Sequence, residues 1–361
     1  RDRDVTGVQT CALPIWGIFE GGFALRVLAV GGAGYVGSHV VRHLVSRGHL
    51  VTVLDNLSTG HAKAVEVAGK AAAGGGCAEL VVGDVGDRER VGELLVSREI
   101  DAVMHFAAAS LVGESMRNPA KYWRNNVGCA VELLDAMVDS GVDKIVFSSS
   151  AAVYGEPTTS LISEDHAKAP TSTYGMTKLA IEHMLRGYDQ AHGIRSISLR
   201  YFNAAGAHSS GEMGEAHDPE THLIPIVLRT ALGLREKVSI FGADYPTEDG
   251  TCIRDYIHVD DLADAHLLAM DALSGGAATT AYNLGNGTGF SVLQVVRESE
   301  QAVGRPIPAT REGRRAGDPA VLVASAERAA SELGWSPNYT KLGDIIASAW
   351  KWHDSHPHGY S

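Results

Sequence analysis

Seven residues, Gly31-Gly-Ala-Gly-Tyr-Val-Gly37, narrow the possible folds of this chain more than any other stretch. They follow the apolar run Leu25-Arg-Val-Leu-Ala-Val30 and precede a helical-period stretch at 40–47. A β-branched run, a glycine turn and a helix start make the first βα unit of a dinucleotide-binding sheet. Among Gly31, Gly34 and Gly37, one residue permits the tight turn, one lets a pyrophosphate approach the backbone, and one lets helix and strand pack closely. The helix N-terminus offers the phosphates free N–H groups and a positive dipole.

A second strand, His49-Leu-Val-Thr-Val-Leu54, ends in Asp55, 18 residues beyond Gly37. A carboxylate there accepts hydrogen bonds from the adenosine ribose hydroxyls and repels a 2′-phosphate, so the expected cofactor is NAD rather than NADP. The stretch 62–77 has little apolar periodicity and reads as a surface helix remnant and loop. A short buried strand at 79–83 ends in Asp84-Val85, placed for an adenine ring. The next strand, 102–106, runs into Ala107-Ala-Ala109, small enough for close approach to a cofactor. A long helix is predicted from Asn118-Pro119 to about 139, with Gly141 as its stop. A further strand from Lys144 brings Ser148, Ser149 and Ser150 to a carboxyl end, where ligands of such sheets bind.

Tyr174 and Lys178 open another helix, and a spacing of four sets phenol and ammonium on one face. The alternation predicts an α/β fold, a doubly wound parallel Rossmann-type sheet with a smaller α/β substrate-binding lobe. The expected boundaries are 25–203 for the sheet domain, to which later segments can return, and 204–361 for the lobe. Helical patterns at 223–234, 261–270, 292–303 and 342–352 supply the lobe's apolar faces, and the histidine-containing tail from His353 is expected to fray.

The formal net charge of −12 comes with no basic block, which argues against a nucleic-acid partner. Cys11, Cys77, Cys129 and Cys252 have no paired spacing, so no disulfide framework and no metal site is indicated, consistent with a reducing cytoplasm. No apolar run approaches the roughly 18 residues that cross a bilayer, so no membrane partner is expected. Residues 1–24 stand apart. Val5-Thr-Gly-Val-Gln-Thr-Cys-Ala-Leu-Pro-Ile15 looks like an in-frame translation of a sequencing-library adapter, and the segment to about Gly22 is expected to be an assembly artefact.

The glycine turn, strand-end Ser150, and Tyr174 with Lys178 together resemble the extended short-chain dehydrogenase/reductase superfamily. Within it the chain is similar to UDP-glucose 4-epimerases from Leu25 to about Trp352. The likeness is carried by His105-Phe-Ala, Val112-Gly-Glu-Ser115, Asn125-Asn-Val127, residues 148–155, Leu199-Arg-Tyr-Phe-Asn203, Tyr245-Pro-Thr-Glu-Asp-Gly250 and Arg254-Asp-Tyr-Ile-His258. The resemblance implies interconversion of UDP-glucose and UDP-galactose by an isomerase with bound NAD, through a 4-keto sugar that rotates before the hydride returns. It also implies a homodimer, as is usual in the family. Tyr174 would be the base, Lys178 its pKa partner, and Ser150 the group aligning the reacting oxygen. The phenol's ordinary value near 10 lies about three units above neutrality, so roughly 4 kcal/mol of preferential phenolate stabilisation is needed.

By the same resemblance the cofactor contacts comprise the glycine turn with Tyr35 and Val36, then Asp55, Asn56, Asp84, Val85, Phe106, Ala107, Ala108, Asn125, Ser148, Tyr174, Lys178 and Tyr201. The UDP-sugar contacts comprise Ser150, Tyr174, Asn203, His222, Leu223, Phe241, Arg254, Arg315, Asp318 and Leu322, the two arginines suiting a diphosphate. Two positions depart from the family. Ser110 replaces a lysine found near the cofactor phosphates in some members, and His222 replaces a common asparagine. Ala151 and Ala152 stand where related dehydratases carry an Asp-Glu pair. Leu322 falls where a bulky tyrosine excludes N-acetyl groups, so weaker activity on UDP-N-acetylhexosamines is expected.

Overall fold

Strand β1 (Arg26–Val30) is buried along its apolar residues, which is why the chain enters the middle of a sheet and not its edge. Residues 24–71, 75–314 and 318–360 are described by the structure, a computed structural model. From β1 the chain continues through α1 (Tyr35–Ser46), β2 (Leu50–Asp55), α2 (Ala62–Gly69), β3 (Cys77–Val82), α3 (Arg88–Ser97) and β4 (Ala102–His105). Next come α4 (Val112–Arg117), α5 (Pro119–Tyr122), a π-helical segment (Trp123–Gly128), α6 (Cys129–Ser140) and β5 (Lys144–Ser150). A 3-10 turn (Ala151–Val153) and β6 (Leu161–Ile162) precede α7 (Thr173–His192), β7 (Arg195–Tyr201) and β8 (Asn203–Ala205). The second half adds α8 (Leu223–Ala231), β9 (Val238–Phe241), β10 (Ile253–His258), α9 (Val259–Ser274), β11 (Thr280–Leu284) and β12 (Gly289–Ser291). It closes with α10 (Val292–Val303), β13 (Ala309–Glu312), β14 (Val321–Ala324), α11 (Glu327–Leu333) and α12 (Leu342–Ser355).

Seven strands form one parallel sheet in the order β3-β2-β1-β4-β5-β7-β11. The order reverses between β1 and β4, so a crevice opens at their carboxyl ends, where such sheets bind ligands. Apolar clusters cover both faces, one combining α1 with α9, the other combining α3, α6 and α7. The smaller lobe holds β12-β10-β14-β6 with β8 beside β10, and a two-stranded ribbon of β9 and β13. The predicted α/β fold is therefore present, with a doubly wound parallel sheet and a smaller lobe.

Several local expectations differ from the structure. The helix expected in the lobe at 261–270 is α9, and its apolar face packs on the large sheet against α1. Periodicity shows that a face is apolar, but not which layer covers it. The stretch expected to hold a surface helix remnant and loop holds α2, but one face of that helix is covered, with Ala64, Val65, Val67 and Ala68 buried, because small residues cover a helix face without a strong pattern. Strand β3 is the half-exposed edge of the sheet, not a buried strand; Val82 is 62% exposed. The tail is packed, not frayed. The His356 ring stacks on Trp352 at 3.9 Å, and Tyr360 donates its hydroxyl to Gly214 O at 3.3 Å. Residues 1–23 of the proposed leader lie outside the described residues, as does Arg315. No helix among the described residues is long and apolar enough to cross a membrane.

Candidate active site

The glycine turn separates into residues the fold needs and one it does not. Gly31 has φ +79°, and a Cβ there would lie 2.5 Å from Ala107 N. A Cβ on Gly37 would lie 2.4 Å from Gly31 O, so helix and turn could not close. Gly34 differs. Its φ is −75°, and an added Cβ would meet Gly31 O at an ordinary 3.4 Å. The protein tolerates a side chain at Gly34, so a glycine there fits the close approach of an external group. Gly34 is also the N-cap of α1 without a side-chain cap, and the first turn carries no acid, which leaves N–H groups for an anion.

Asp55 is fixed beside this turn: one carboxylate oxygen accepts from Ala33 N at 3.0 Å and the other from Leu57 N at 2.9 Å. Asn56 donates to Asp84 at 3.0 Å, joining the ends of β2 and β3. Val85 and Ala107 pack half-buried on one apolar cluster, while Val36, Phe106 and Tyr201 pack on the other. Ala108 is half-buried and Ser110 exposed. Tyr35 donates its hydroxyl to Gly206 O at 2.7 Å, tying the turn to the start of the lobe. Asn125 is exposed and donates to Asn126. The buried Asn126 escaped sequence analysis, yet it accepts from Ala109 N at 2.8 Å and donates to Ala109 O and Thr177 Oγ1. It fastens the loop after β4 to α7, and its place in the π-helical segment turns it inward, an irregularity that periodicity does not reveal.

The catalytic candidates meet at the carboxyl end of β5. Ser172 caps α7 through Gly175 N at 3.1 Å, and Ser115 accepts from Tyr174 N at 3.1 Å, so two hydroxyls set the helix start. Ser150 lies near enough to the Tyr174 phenol to pull its pKa down against burial. One turn on, Lys178 donates its ammonium to Ser148 O at 2.7 Å and lies 5.8 Å from the Tyr174 ring centre. Ser148 Oγ is 3.0 Å from His266 Nε2, and the other ring nitrogen of His266 donates to Leu262 O at 2.8 Å. Burial raises the Tyr174 pKa well above its ordinary value, with only Ser150 opposing among the larger influences. Burial also lowers Lys178 to about 7, against the pull of Glu182. Burial thus disfavours the charged forms of both groups.

In the lobe, register brings three of the expected sugar-nucleotide residues onto adjacent strands. Asn203 pairs with Tyr256, and Arg254 pairs with Leu322. Arg254 donates to Ile253 O and Pro319 O, each at 2.8 Å, and to Asp318 at 3.2 Å, so it is already held in an orientation. Leu322 packs half-buried on the cluster of Val153, Tyr154 and Ile162, just past Ser150. Leu223 opens α8 and packs beside β9, whose last residue is Phe241. Asp255, not foreseen, binds this assembly: its carboxylate accepts from Asn286 N, Gly287 N and Ala324 N. Burial pushes it up to about 6, although these three donors pull down.

His222 is turned toward acids rather than standing alone. Its Nδ1 is 2.7 Å from Glu215 and 3.0 Å from Glu220, and His217 joins the same group. The spacing Glu-x-His-x-x-Glu-x-His at 215–222 is visible in the sequence, whereas the expectation of no metal site rests on the cysteines alone.

The sequence model of the NAD dependent epimerase/dehydratase family matches residues 27–285. A UDP-glucose 4-epimerase of Halalkalibacterium halodurans is 50% identical over 337 residues, which cover 93% of this chain and 98% of that protein. The crystal structure of UDP-glucose 4-epimerase from Brucella ovis in complex with NAD is similar at 46% identity and a TM-score of 0.85, covering 91% of this chain and 98% of that one. The enzyme of that name from Bifidobacterium longum, in complex with NAD+ and UDP, is 38% identical with a TM-score of 0.87, covering 92% and 99%.

Proposed function

The chain belongs to the NAD dependent epimerase/dehydratase family, and from that premise we propose that it interconverts UDP-glucose and UDP-galactose at sugar carbon 4. The observation that carries this reading is the meeting of Tyr174, Ser150 and Lys178 beside a glycine cradle and Asp55, in a chain 50% identical to a UDP-glucose 4-epimerase. Bound NAD supplies the acceptor, and then the donor, of the carbon 4 hydride. Gly31, Gly34, Gly37 and the start of α1 would hold its pyrophosphate, Asp55 its adenosine ribose, and Asp84 with Val85 its adenine end.

Tyr174 takes the proton from the sugar hydroxyl and later returns it, and Ser150 holds the reacting oxygen in line. Lys178 offsets the phenolate's charge across their shared helix face while Ser148 O fixes the ammonium. Ala151 and Ala152 form the 3-10 turn after Ser150 and bring no acid, which favours epimerisation over loss of water. On the lobe, Asn203, Leu223, Phe241, Arg254 and Asp318 would grip the UDP portion, with Arg315 from outside the described residues. Leu322, beside the segment that follows Ser150, would set the room near carbon 2.

The enzyme is read as a cytoplasmic homodimer. The first half is supported by the four cysteines, whose spacing in the sequence shows no disulfide pattern, and the second by family resemblance; light scattering checks the second. The functional test is incubation with UDP-galactose and a coupled assay for UDP-glucose, without added NAD. Conversion is expected, and its absence even with NAD supplied removes the reading.

A further inference from the structure

The loop between β8 and α8 carries a second concentration of titratable groups in 215–222, where the epimerase reading has no use for most of them. One donor atom from each of Glu215, His217, Glu220 and His222 lies within 4.8 Å of the other three. We propose that these four side chains form a zinc site, with ligand atoms His217 Nδ1, His222 Nδ1 and one carboxylate oxygen each from Glu215 and Glu220.

Geometry favours this ion. Tetrahedral Zn2+ with bonds of about 2.0–2.1 Å sets its ligand atoms roughly 3.4 Å apart. The His222 nitrogen lies 2.7 Å from Glu215 and 3.0 Å from Glu220, and the His217 nitrogen 3.0 Å from Glu215 and 3.8 Å from Glu220. The two Glu220 distances are to its two different oxygens and the remaining donor pairs lie within 4.8 Å, so rotation of the Glu220 carboxylate is the adjustment that brings one oxygen to both imidazoles. Two imidazoles with two carboxylates suit zinc better than calcium or magnesium, which take all-oxygen shells.

Burial provides a floor and an entrance. The Glu215 and Glu220 side chains are 3% and 5% exposed, whereas His217 and His222 are 28% and 49% exposed. The two carboxylates of this buried floor are faced by His222 and His217 in the structure, and a dication bound by all four side chains would offset both negative charges at once. The surrounding backbone holds the ligands in place: Glu220 accepts from Thr221 N and His222 N at 2.7 and 2.8 Å. Glu215 O accepts from Trp352 Nε1 at 3.1 Å, and Ala216 O lies 2.8 Å from His61 Nε2. Such outer contacts orient metal ligands.

Four protein ligands leave no open position, so the zinc is structural. It fastens the loop to α8, whose N-cap is His222, and against Tyr35, whose ring meets His217 edge-on at 6.2 Å. The inference stands apart from the epimerase reading, since it predicts binding and stability in the absence of any sugar nucleotide.

The test uses the full chain, stripped with a chelator and titrated with Zn2+ by calorimetry. One equivalent per chain is expected, with a rise in Tm, and Co2+ in its place should give the visible absorption of a tetrahedral site. His217→Ala should weaken binding at least about tenfold, the lower end for even an outer-shell loss, and abolish the cobalt bands; Glu220→Gln should act likewise if the first variant fails to fold. Uptake below one equivalent, or unchanged affinity in a folded variant, overturns the proposal. So does loss of uptake in His356→Ala/His358→Ala with retention in His217→Ala, which would assign the ion to the tail.

Discussion

The two halves of the large sheet are built on different physics. In β1, β2 and β4 the buried side chains are mostly apolar, among them Val27, Leu28, Val53 and Met104, with Thr52, Asp55 and His105 the polar exceptions. In β5, β7 and β11 the interior is threaded by polar groups. Glu182 receives two hydrogen bonds from Arg200, at 2.8 and 2.5 Å, and one from Ser149 at 2.6 Å. Arg200 continues to the Tyr154 hydroxyl, which donates to Asn283, whose N–H reaches Glu164. On the proposed reading the apolar half presents the glycine-turn backbone and the Asp55 carboxylate to a cofactor, and nondirectional burial is enough to set the strand ends that carry them. The polar half must hold Ser150, Tyr174 and Lys178 at fixed separations, which directional bonds accomplish at the cost of dehydrating every member.

The largest effect should come from the reacting group itself. Tyr174→Phe is expected to lower turnover about 10²–10⁴-fold, the range of a lost acid-base group, with Tm and nucleotide binding nearly unchanged. Near-normal turnover in the coupled assay would move the base elsewhere, with Ser150 first in line.

Next come two substitutions that set the halves against each other. Arg200→Met leaves the Glu182 charge buried and unpaired and should cost about 3–5 kcal/mol in urea unfolding. It should also reduce turnover, because Glu182 is one turn beyond Lys178 on α7. Leu28→Ala in the apolar half should cost about 2–5 kcal/mol by leaving a cavity, yet spare turnover in the protein that remains folded. Equal loss of turnover in both would erase the contrast.

A smaller effect tests the lobe's contact with the polar half. Leu322→Tyr should lower activity on UDP-N-acetylhexosamines about 10–200-fold while sparing UDP-galactose, since steric discrimination of this kind is worth about 1–3 kcal/mol. An unchanged ratio of the two activities would show that Leu322 only packs against Val153 and Tyr154.

The smallest effect concerns how the chain's second half joins the apolar half. His43 on α1 faces Asp264 at 3.2 Å and Asp260 at 3.5 Å, both on α9. Burial opposes its charging, but the two carboxylates outweigh burial and raise it to about 9. A raised folded value means that this contribution is complete below the ordinary value of about 6.5 and is lost as pH rises through about 9. Urea midpoints should therefore fall across that window, and His43→Gln should flatten the decline. A slope of equal size in the variant would assign it to other groups.

The alternation of strands and helices through β7, the glycine turn, Asp55 and the Tyr174–Lys178 spacing were determined by sequence alone, because each is a local code. Period two or 3.6, a positive φ that only glycine takes easily, and a four-residue step act within one or two turns of chain. Tertiary structure decided what those codes leave open. It gave α9 and β11 to the large sheet, because an apolar face is covered by whichever layer reaches it first in space. It packed Trp352 and Tyr360 instead of leaving the tail loose. It also brought Asp255 under three backbone N–H groups and Asn126 under Ala109, since a single buried polar residue has no period to announce it. The four side chains at 215–222 are close in sequence, but only the folded loop turns their donor atoms toward one point.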